Sequence, residues 1–235
     1  MFSVILPLTC LYFFSFLRVP LKDVTIWIDP LDATQEYTES LIEYVTVMAC
    51  VVLDGRPLIG IIHRPFIGDT HWAIVGYGTS EEHYIDRKKE GRTTSEKESD
   101  YRFIISRSHS SSKTRDLLEK AYSSKTDKYN HPYKVDIVEA GGAGYKALAV
   151  INGSYDAYVH WSTIKMWDIC AAEALVTAVG GQATDMQGNP ISYDIRSDEA
   201  KVKTGFLLAR QKHSDYLSVL TETIKEIERE TAQQV

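Results

Sequence analysis

Cysteine is scarce in this chain, and its arrangement argues against two kinds of structural site. The three cysteines, Cys10, Cys50 and Cys170, are too few and too odd in number for a disulfide framework. They form no CxxC pair and no His/Cys cluster at zinc spacing, so a structural zinc is not expected. Two of them lie in apolar runs, and we expect these to be buried as small hydrophobic residues.

Positive charge is also in short supply. The chain has 26 lysines and arginines against 32 aspartates and glutamates, which gives a net charge of -6 at pH 7. A general nucleic-acid binder needs a basic face, so the composition argues against nucleic acid as a partner. Any anionic ligand must therefore be held by a local group of residues.

A long hydrophobic run opens the chain. Residues 2–17 are almost wholly apolar and are followed by Arg18. The run is short for a transmembrane helix, contains Pro7, and lacks the positive region and small-residue cleavage site of a good signal peptide. We favour membrane attachment through residues 2–17. The alternatives are a strand and helix of the fold, or a start that does not belong to the ancestral chain.

Hydrophobic periodicity predicts an α/β architecture. Residues 24–28 are typical of a buried strand and 38–44 of a short helix, and Asp54-Gly55 predicts a hairpin turn between two strands, with a third at 71–78. A polar, charged segment at 79–100 is typical of an exposed loop and predicts the boundary between a partial metal-site domain (19–100) and a C-terminal domain (101–235). In the latter, strands at 102–108, 134–140, 155–161 and 204–210 alternate with helices at 111–124, 142–152, 167–181 and 215–230.

The stretch "IDPLDAT" places two aspartates where the first strand ends. Pro30 fixes its own backbone angle and pushes Asp29 toward extended geometry, so that Asp29 and Asp32 can face one point, which suits a hard cation. Amides near Ala33 and Thr34 could hold a phosphate oxygen. A bare motif of this kind more often forms a helix cap or an Asx turn. The second signal is Asp168, which opens the helix of "WDICAA" and could close over the same cation, although alone it would be a favourable charge at a helix N-terminus.

Together these motifs carry a family resemblance. "DPLDAT" with "WDICAA" resembles the metal-dependent, lithium-sensitive phosphatases that include inositol monophosphatases and bisphosphate nucleotidases. The longer strings "WIDPLDATQEYTE", "SRSHS", "AGGAGYKALA" and "KMWDICA" most closely resemble the membrane-anchored, Golgi-resident nucleotidase branch. The resemblance runs from Val19 to the C-terminal helix. It implies a layered α-β-α-β sandwich of the sugar-phosphatase type with an incomplete N-terminal layer.

The resemblance also implies roles for single residues. Asp29, Asp32, Asp168 and the carbonyl of Leu31 match the ligands of Mg²⁺, and Asp32 and Thr34 match catalytic residues, the Thr34 hydroxyl helping to activate the attacking water. The expected substrate-binding residues are Ala33, Thr34, Ser108, His109, Gly142, Ala143, Lys146, His160 and Lys165. On their own, "GGAG" could be a tight strand-to-helix connection, and the two lysines could be solvated surface charges.

The implied function is removal of the 3′-phosphate from adenosine 3′,5′-bisphosphate, with inositol monophosphate as the alternative substrate. A different alternative is a truncated remnant that binds metal or nucleotide without turnover. The family carries a metal-binding glutamate upstream of the DPLD turn, whereas residues 1–28 contain no glutamate and Asp23 is their only acid. Glu36 lies within the motif but does not match the missing position.

The resemblance also bears on location and assembly. The expected location is the Golgi lumen, with the cytoplasm as the alternative. A homodimer is left open.

Overall fold

The computed structural model describes most of the chain between Val19 and Gln233. The described residues are 19–80, 100–108, 111–123, 125–126, 129–194 and 200–233. The apolar run at 2–17, His109 and most of the polar segment at 79–100 lie outside these ranges. No helix in the described part of the chain is long and apolar enough to cross a membrane.

The first sheet is an antiparallel meander. Its strands, in spatial and chain order, are β1 (Val24–Asp32), β2 (Thr46–Leu53), β3 (Arg56–Arg64), β4 (Asp69–Ile74) and β5 (Gly78–Thr79). Asp54 and Gly55 both have positive φ, 49° and 76°, as a tight two-residue hairpin turn requires. The predicted hairpin and the third strand are therefore confirmed.

The first helix begins earlier than the sequence pattern indicated. Helix α1 spans Thr34–Thr38, and the predicted helix at 38–44 is wrong except for a 3-10 turn at Ile42–Tyr44. The reason is Ala33, whose left-handed φ of 65° turns the chain out of β1 at once. The amide of Tyr37 then donates to the Ala33 carbonyl at 2.9 Å and closes the first helical turn.

The second sheet contains parallel strands, and their ends matter for the site. Its order is β10 (Gln182–Thr184), β12 (Phe206–Ala209), β8 (Ala157–His160), β6 (Tyr101–Ser106) and β7 (Val135–Ala140). A separate ladder joins β9 (Ile164–Lys165) to β11 (Lys201–Val202). Because β6 is parallel to both β7 and β8, the carboxyl ends of these strands meet at one edge of the sheet. Ligands of open α/β sheets bind at such an edge.

Helices cover both faces of the second sheet. The remaining helices are α2 (Ser111–Tyr122), α3 (Ala143–Ile151), α4 (Met166–Ala178) and α5 (His213–Ala232). On one face Ile104, Tyr158 and Leu208 share a buried cluster with α3, α4 and the first sheet. On the other, Phe103 and Val159 pack with α2 and α5. The described layers are thus sheet, helices, sheet, helices, which confirms the layered α/β class.

A disulfide joins two of these layers. Cys50 on β2 is bonded to Cys170 on α4, with Cα atoms 5.8 Å apart, and both residues are buried. Burial agrees with the expectation from the apolar runs, but the pairing corrects the view that these cysteines act only as small hydrophobic residues. Since 120 residues separate them, only the packing of α4 on the first sheet reveals the bond.

Candidate active site

A cavity of about 370 Å³ opens where the end of β1 faces the carboxyl edge of the second sheet. All but one of the residues predicted from sequence border it: Asp29, Leu31, Asp32, Ala33, Thr34, Ser108, Gly142, Ala143, Lys146, His160, Lys165 and Asp168. His109, the exception, lies outside the described residues. The residues that complete the lining had been given no role from the sequence: Gln35, Glu36, Ser106, Tyr158, Thr163, Ile164 and Trp167.

The sharp turn expected around Pro30 is present. The pairing of β1 with β2 is irregular between Asp29 and Asp32, so the strand bulges where the two aspartates lie. Asp29 accepts a hydrogen bond from the Leu31 amide at 3.1 Å, and the Thr34 hydroxyl donates to the Leu31 carbonyl at 3.0 Å. These local bonds hold two carboxylates, a carbonyl and a hydroxyl on one turn.

Asp32 is held by three hydrogen bonds from distant parts of the chain. The Thr46 hydroxyl donates to its Oδ2 at 2.8 Å, and the amides of Ala143 and Gly144 donate at 3.1 and 2.8 Å. Those amides belong to the first turn of α3, whose free N–H groups favour an anion. Asp32 is only 7% exposed, so these bonds fix its carboxylate. Thr46 gave no signal in the sequence, since its role depends on the pairing of β2 with β1.

Asp168 borders the same cavity as the other two aspartates. It is in the first turn of α4 and accepts a bond from the Lys165 amide at 3.4 Å. Burial, with Asp32 and Asp29 nearby, raises the pKa of Asp168 to about 7. Burial, with the Asp32 carboxylate nearby, likewise raises the pKa of Asp29. Both shifts have the same cause, because burial and neighbouring carboxylates disfavour the charged form of each group.

The carboxylate and carbonyl oxygens around the cavity are the type of ligand that Mg²⁺ prefers. Among the described residues, no three or more His, Cys, Asp or Glu side chains stand together at metal-ligand spacing. Mg²⁺, however, prefers oxygen, keeps several waters and needs only one or two carboxylates from a protein. The carboxylates of Asp29, Asp32 and Asp168 would supply oxygen ligands to a divalent cation, which would neutralise part of their charge. The Leu31 carbonyl has a second lone pair beyond its bond to Thr34.

The basic residues of the cavity differ in their surroundings. The ammonium of Lys165, a half-buried residue, stands 5.1 Å from the centre of the Trp167 ring. Lys146 is only 2% exposed, and burial lowers its pKa to about 8 in spite of Asp32, Glu36 and Asp168. His160 is also buried, with its Nε2 2.8 Å from the Ser162 hydroxyl. Of the two lysines in the described lining of the cavity, Lys165 is the one that presents its charge near solvent.

An acidic residue that the sequence analysis set aside is built into the cavity wall. Glu36, in α1, is 2% exposed and lies 3.5 Å from the Arg107 guanidinium, which also pairs with Glu39. A Cβ added to Gly141 would collide with the Glu36 side chain. The first glycine of "GGAG" therefore allows α1 and the turn before α3 to pack together.

Comparison with known proteins shows which family the chain belongs to. A model of the inositol monophosphatase family matches residues 17–227. The chain belongs to the inositol monophosphatase family. Among its relatives, inositol monophosphatase 3 of Danio rerio is 43% identical over 182 residues, 75% of this chain and 48% of that protein. The Golgi-resident adenosine 3′,5′-bisphosphate 3′-phosphatase of Homo sapiens is 41% identical over 182 residues, 75% of this chain and 45% of that protein.

Solved structures of the inositol monophosphatase family share the fold. An IMPase/NADP phosphatase complexed with Mg²⁺ and phosphate superimposes with a TM-score of 0.61, covering 84% of this chain and 66% of that one. At 15% identity this likeness shows the fold alone. The chain spans about half the length of the relatives named above.

Proposed function

We propose that this chain is a phosphoric monoester hydrolase that uses Mg²⁺ and water. The observation that carries the proposal is the meeting of Asp29, Asp32 and Asp168 with the Leu31 carbonyl and the Thr34 hydroxyl around one cavity. Membership of the inositol monophosphatase family supports it.

The side chains divide the work between binding and activation. Mg²⁺ would be held by Asp29, Asp32, Asp168 and the Leu31 carbonyl. When bound, it would act as a Lewis acid and lower the pKa of water enough to provide a hydroxide nucleophile near neutral pH. The Thr34 hydroxyl gives its hydrogen to Leu31, so its lone pairs are available to accept a hydrogen bond from the attacking water. The residues that line the space for the phosphate and the rest of the ester are Ala33, Ser108, Gly142, Ala143, Lys146, His160 and Lys165.

For the substrate we propose adenosine 3′,5′-bisphosphate. Lys165 offers a cation beside the Trp167 ring, and a bisphosphate nucleotide brings both a second anion and a base that can stack. The human relative named as a 3′-phosphatase supports this choice. Inositol monophosphate is the second candidate, because the zebrafish relative of similar identity is named as an inositol monophosphatase.

The proposed compartment is the Golgi lumen. The human relative is named as Golgi-resident, and the buried Cys50–Cys170 disulfide is typical of proteins that fold in an oxidising compartment. A cytoplasmic location is the alternative, and there the two thiols would be kept reduced. Fluorescence microscopy of the tagged chain beside a Golgi marker tests the location, and a diffuse cytoplasmic signal would contradict it.

The experiment that tests the proposed activity is phosphate release from adenosine 3′,5′-bisphosphate and inositol 1-phosphate at matched Mg²⁺. Thr34→Val should lower kcat on the order of 10²-fold, because it removes the hydroxyl that faces the water. Thr38→Val is the matched control, since Thr38 lies on the same helix but its hydroxyl donates to the exposed Gln35 carbonyl at 2.7 Å.

Three results distinguish the candidates. Faster phosphate release from the nucleotide supports the proposed substrate. Faster release from the inositol ester supports inositol monophosphate as the substrate instead. If both esters protect the protein from thermal unfolding but neither is hydrolysed, the chain binds without turnover and the proposed activity fails.

A further inference from the structure

A tripeptide of the type that accepts asparagine-linked sugars lies in the turn after α3. Asn152-Gly153-Ser154 has the form Asn-X-Ser with a residue other than proline in the middle, and it is the only such tripeptide in the 235-residue chain. Because short patterns of this kind also arise by chance, the surroundings of the turn in the fold decide whether it can carry a glycan.

The turn leaves the acceptor groups out of the hydrogen bonding of the fold. Helix α3 ends where the Gly153 amide donates to the Val150 carbonyl at 3.0 Å, with Gly153 at a positive φ of 84°. The Asn152 Oδ1 then accepts a bond from the Ser154 amide at 2.9 Å. In the described part of the chain, neither the Asn152 Nδ2 nor the Ser154 hydroxyl makes a hydrogen bond.

The nitrogen that would bear the sugar is open to solvent. Asn152 is half-buried and Ser154 is exposed. The Asn152 Nδ2 is not one of the described polar atoms that are buried without a partner, so it reaches the surface. The helix end therefore uses only the oxygen of the Asn152 side chain and leaves its nitrogen available.

There is room for a sugar beside the turn. Asn152 and Ser154 border a cavity of about 430 Å³ that shares no lining residue with the cavity of the aspartates. A Cβ added to Gly153 would meet nothing within 4 Å. The arginines of this second cavity, Arg64 and Arg102, are each paired with an aspartate. Because these charges already have partners, the cavity suits a neutral, hydroxyl-rich group better than an anion.

The turn is at the opposite end of α3 from the proposed active site. The amides that hold Asp32, those of Ala143 and Gly144, are in the first turn of α3, whereas Asn152 follows its last residue. A helix of 9 residues is roughly 13 Å long. A glycan attached at Asn152 therefore starts well away from the aspartates.

We propose that Asn152 is a site of asparagine-linked glycosylation. The sugar donor is an oligosaccharide carried on a lipid pyrophosphate. The Asn152 Nδ2 bonds to the anomeric carbon of the first sugar and loses one proton, while the bond from that carbon to the pyrophosphate oxygen breaks and the lipid pyrophosphate leaves with the electron pair. The inference rests on the proposed function only in its compartment, because this transfer takes place in the lumen of the secretory pathway.

The test is expression of the full chain in animal cells behind a cleavable secretion signal, followed by treatment with peptide-N-glycosidase. The unaltered chain should migrate faster on a denaturing gel after treatment, and mass spectrometry in heavy-oxygen water should find Asn152 converted to a labelled aspartate. Asn152→Gln and Ser154→Ala should lose the shift, whereas Ser154→Thr should keep it. Asn130→Gln is the matched control and should also keep it, since Asn130 is exposed but is followed by His131-Pro132.

A further variant shows that the chain has reached the lumen. Pro132→Ser makes an acceptor tripeptide that starts at Asn130, so this variant should carry one glycan more than the unaltered chain. A glycan on Pro132→Ser that is attached at Asn130 alone would overturn the inference. The absence of any shift in unaltered chain recovered from the lumen would overturn it too.

The chain without the added signal separates this inference from the proposed function. If it carries no glycan while the secreted form does, the Golgi location fails and the glycosylation site stands. If the glycosylated chain hydrolyses no ester, the proposed activity fails and the site again stands. Asn152→Gln should match the unaltered chain in Mg²⁺ affinity, because Asn152 does not border the cavity of the aspartates.

Discussion

At the scale of single residues, the Asp32 carboxylate requires hydrogen-bond donors from three other residues. Its two oxygens accept bonds from Thr46, Ala143 and Gly144, so both must remain acceptors. Asp32→Asn keeps the shape, but it removes the charge and turns one acceptor into a donor that faces other donors. We expect Mg²⁺ affinity to fall at least tenfold in isothermal calorimetry.

Asp54→Asn provides the control for that measurement. Asp54 lies in the hairpin turn with a φ of 49°, a conformation that asparagine tolerates, and it is remote from the cavity lining. Its Mg²⁺ affinity should equal that of the unaltered chain. Equal affinity in Asp32→Asn as well would show that Asp32 is not a ligand.

A second residue-scale prediction concerns Glu173, which is buried in α4 away from the aspartates. Burial raises its pKa from 4.5 to about 7, although the Tyr193 hydroxyl donates to it. The folded protein therefore binds this proton more tightly than the unfolded chain, and the free energy of unfolding falls as pH rises from 4.5 to 7. Glu173→Gln removes this penalty. Relative to the unaltered chain, it should gain on the order of 1–3 kcal/mol above pH 7 and nothing below pH 4.5.

Urea unfolding at pH 5 and pH 8 measures this difference. The exposed Glu222 on α5 serves for comparison, and Glu222→Gln should show no such change between the two pH values. A gain for Glu173→Gln that is equal at both pH values would mean that the carboxyl group does not titrate in this window.

At the scale of elements, the disulfide ties a strand to a helix that both border the site. Cys50 is on β2, which pairs with β1, and Cys170 is two residues beyond Asp168 on α4. Replacing both cysteines by alanine should lower the free energy of unfolding by about 2–5 kcal/mol. It should also weaken Mg²⁺ binding, because Asp168 is then held less firmly against Asp29.

Thiol counting checks the bond itself. In unreduced, denatured protein, only Cys10 should react with an alkylating reagent. Three reactive thiols would show that the cross-link is absent, and an unchanged Mg²⁺ affinity in the double alanine variant would show that it does not support the site.

Another element-scale prediction concerns the turn before α3. Gly142→Ala brings a positive φ of 61° and a collision with the Tyr44 carbonyl, whereas Gly68→Ala brings only a positive φ of 85° with open space around the new Cβ. Gly68→Ala should cost about 1–2 kcal/mol from backbone strain alone. Gly142→Ala should cost more in chemical unfolding and should also lose Mg²⁺ affinity. Equal costs would mean that the turn yields without disturbing Asp32.

At the scale of the whole molecule, the cavity joins both sheets. The first sheet contributes Asp29 and Asp32, the helices between the sheets contribute Asp168 and the amides that hold Asp32, and the second sheet contributes Ser106 and His160. Ligands that bind only this assembled arrangement must stabilise the fold, by about 2.7 kcal/mol at 100 times their dissociation constant. We expect Mg²⁺ and inorganic phosphate together to raise the thermal midpoint by more than the sum of their separate effects. Asp32→Asn should lose most of this shift, and an equal shift in that variant would argue for binding elsewhere.

The secondary structure was predictable where the hydrophobic pattern of the sequence is long and regular. The hairpin at Asp54-Gly55 and the alternation after residue 100 follow from local signals, since turn residues and periodicity reflect only a few neighbours. Strands β9, β10 and β11 have two or three residues each and were not predicted, because such short segments carry no periodicity. The start of α1 was misplaced because the left-handed conformation of Ala33 is imposed by its surroundings and is uncommon for alanine.

For the site, the sequence by itself determined the chemical groups and their local turn. Pro30 and the spacing of Asp29, Asp32 and Thr34 are local properties, and the matching motifs around Gly142 and Asp168 identified the other walls of the cavity. Only the tertiary structure decided which groups meet: Asp32 with Thr46 across 14 residues, with Ala143 and Gly144 across 111 and 112, and Cys50 with Cys170 across 120. Such contacts depend on how two sheets and their helices pack, and local conformational preferences contain no information about that packing. The burial of Lys146 and its bonds to the carbonyls of Ala140 and Gly142 have the same origin.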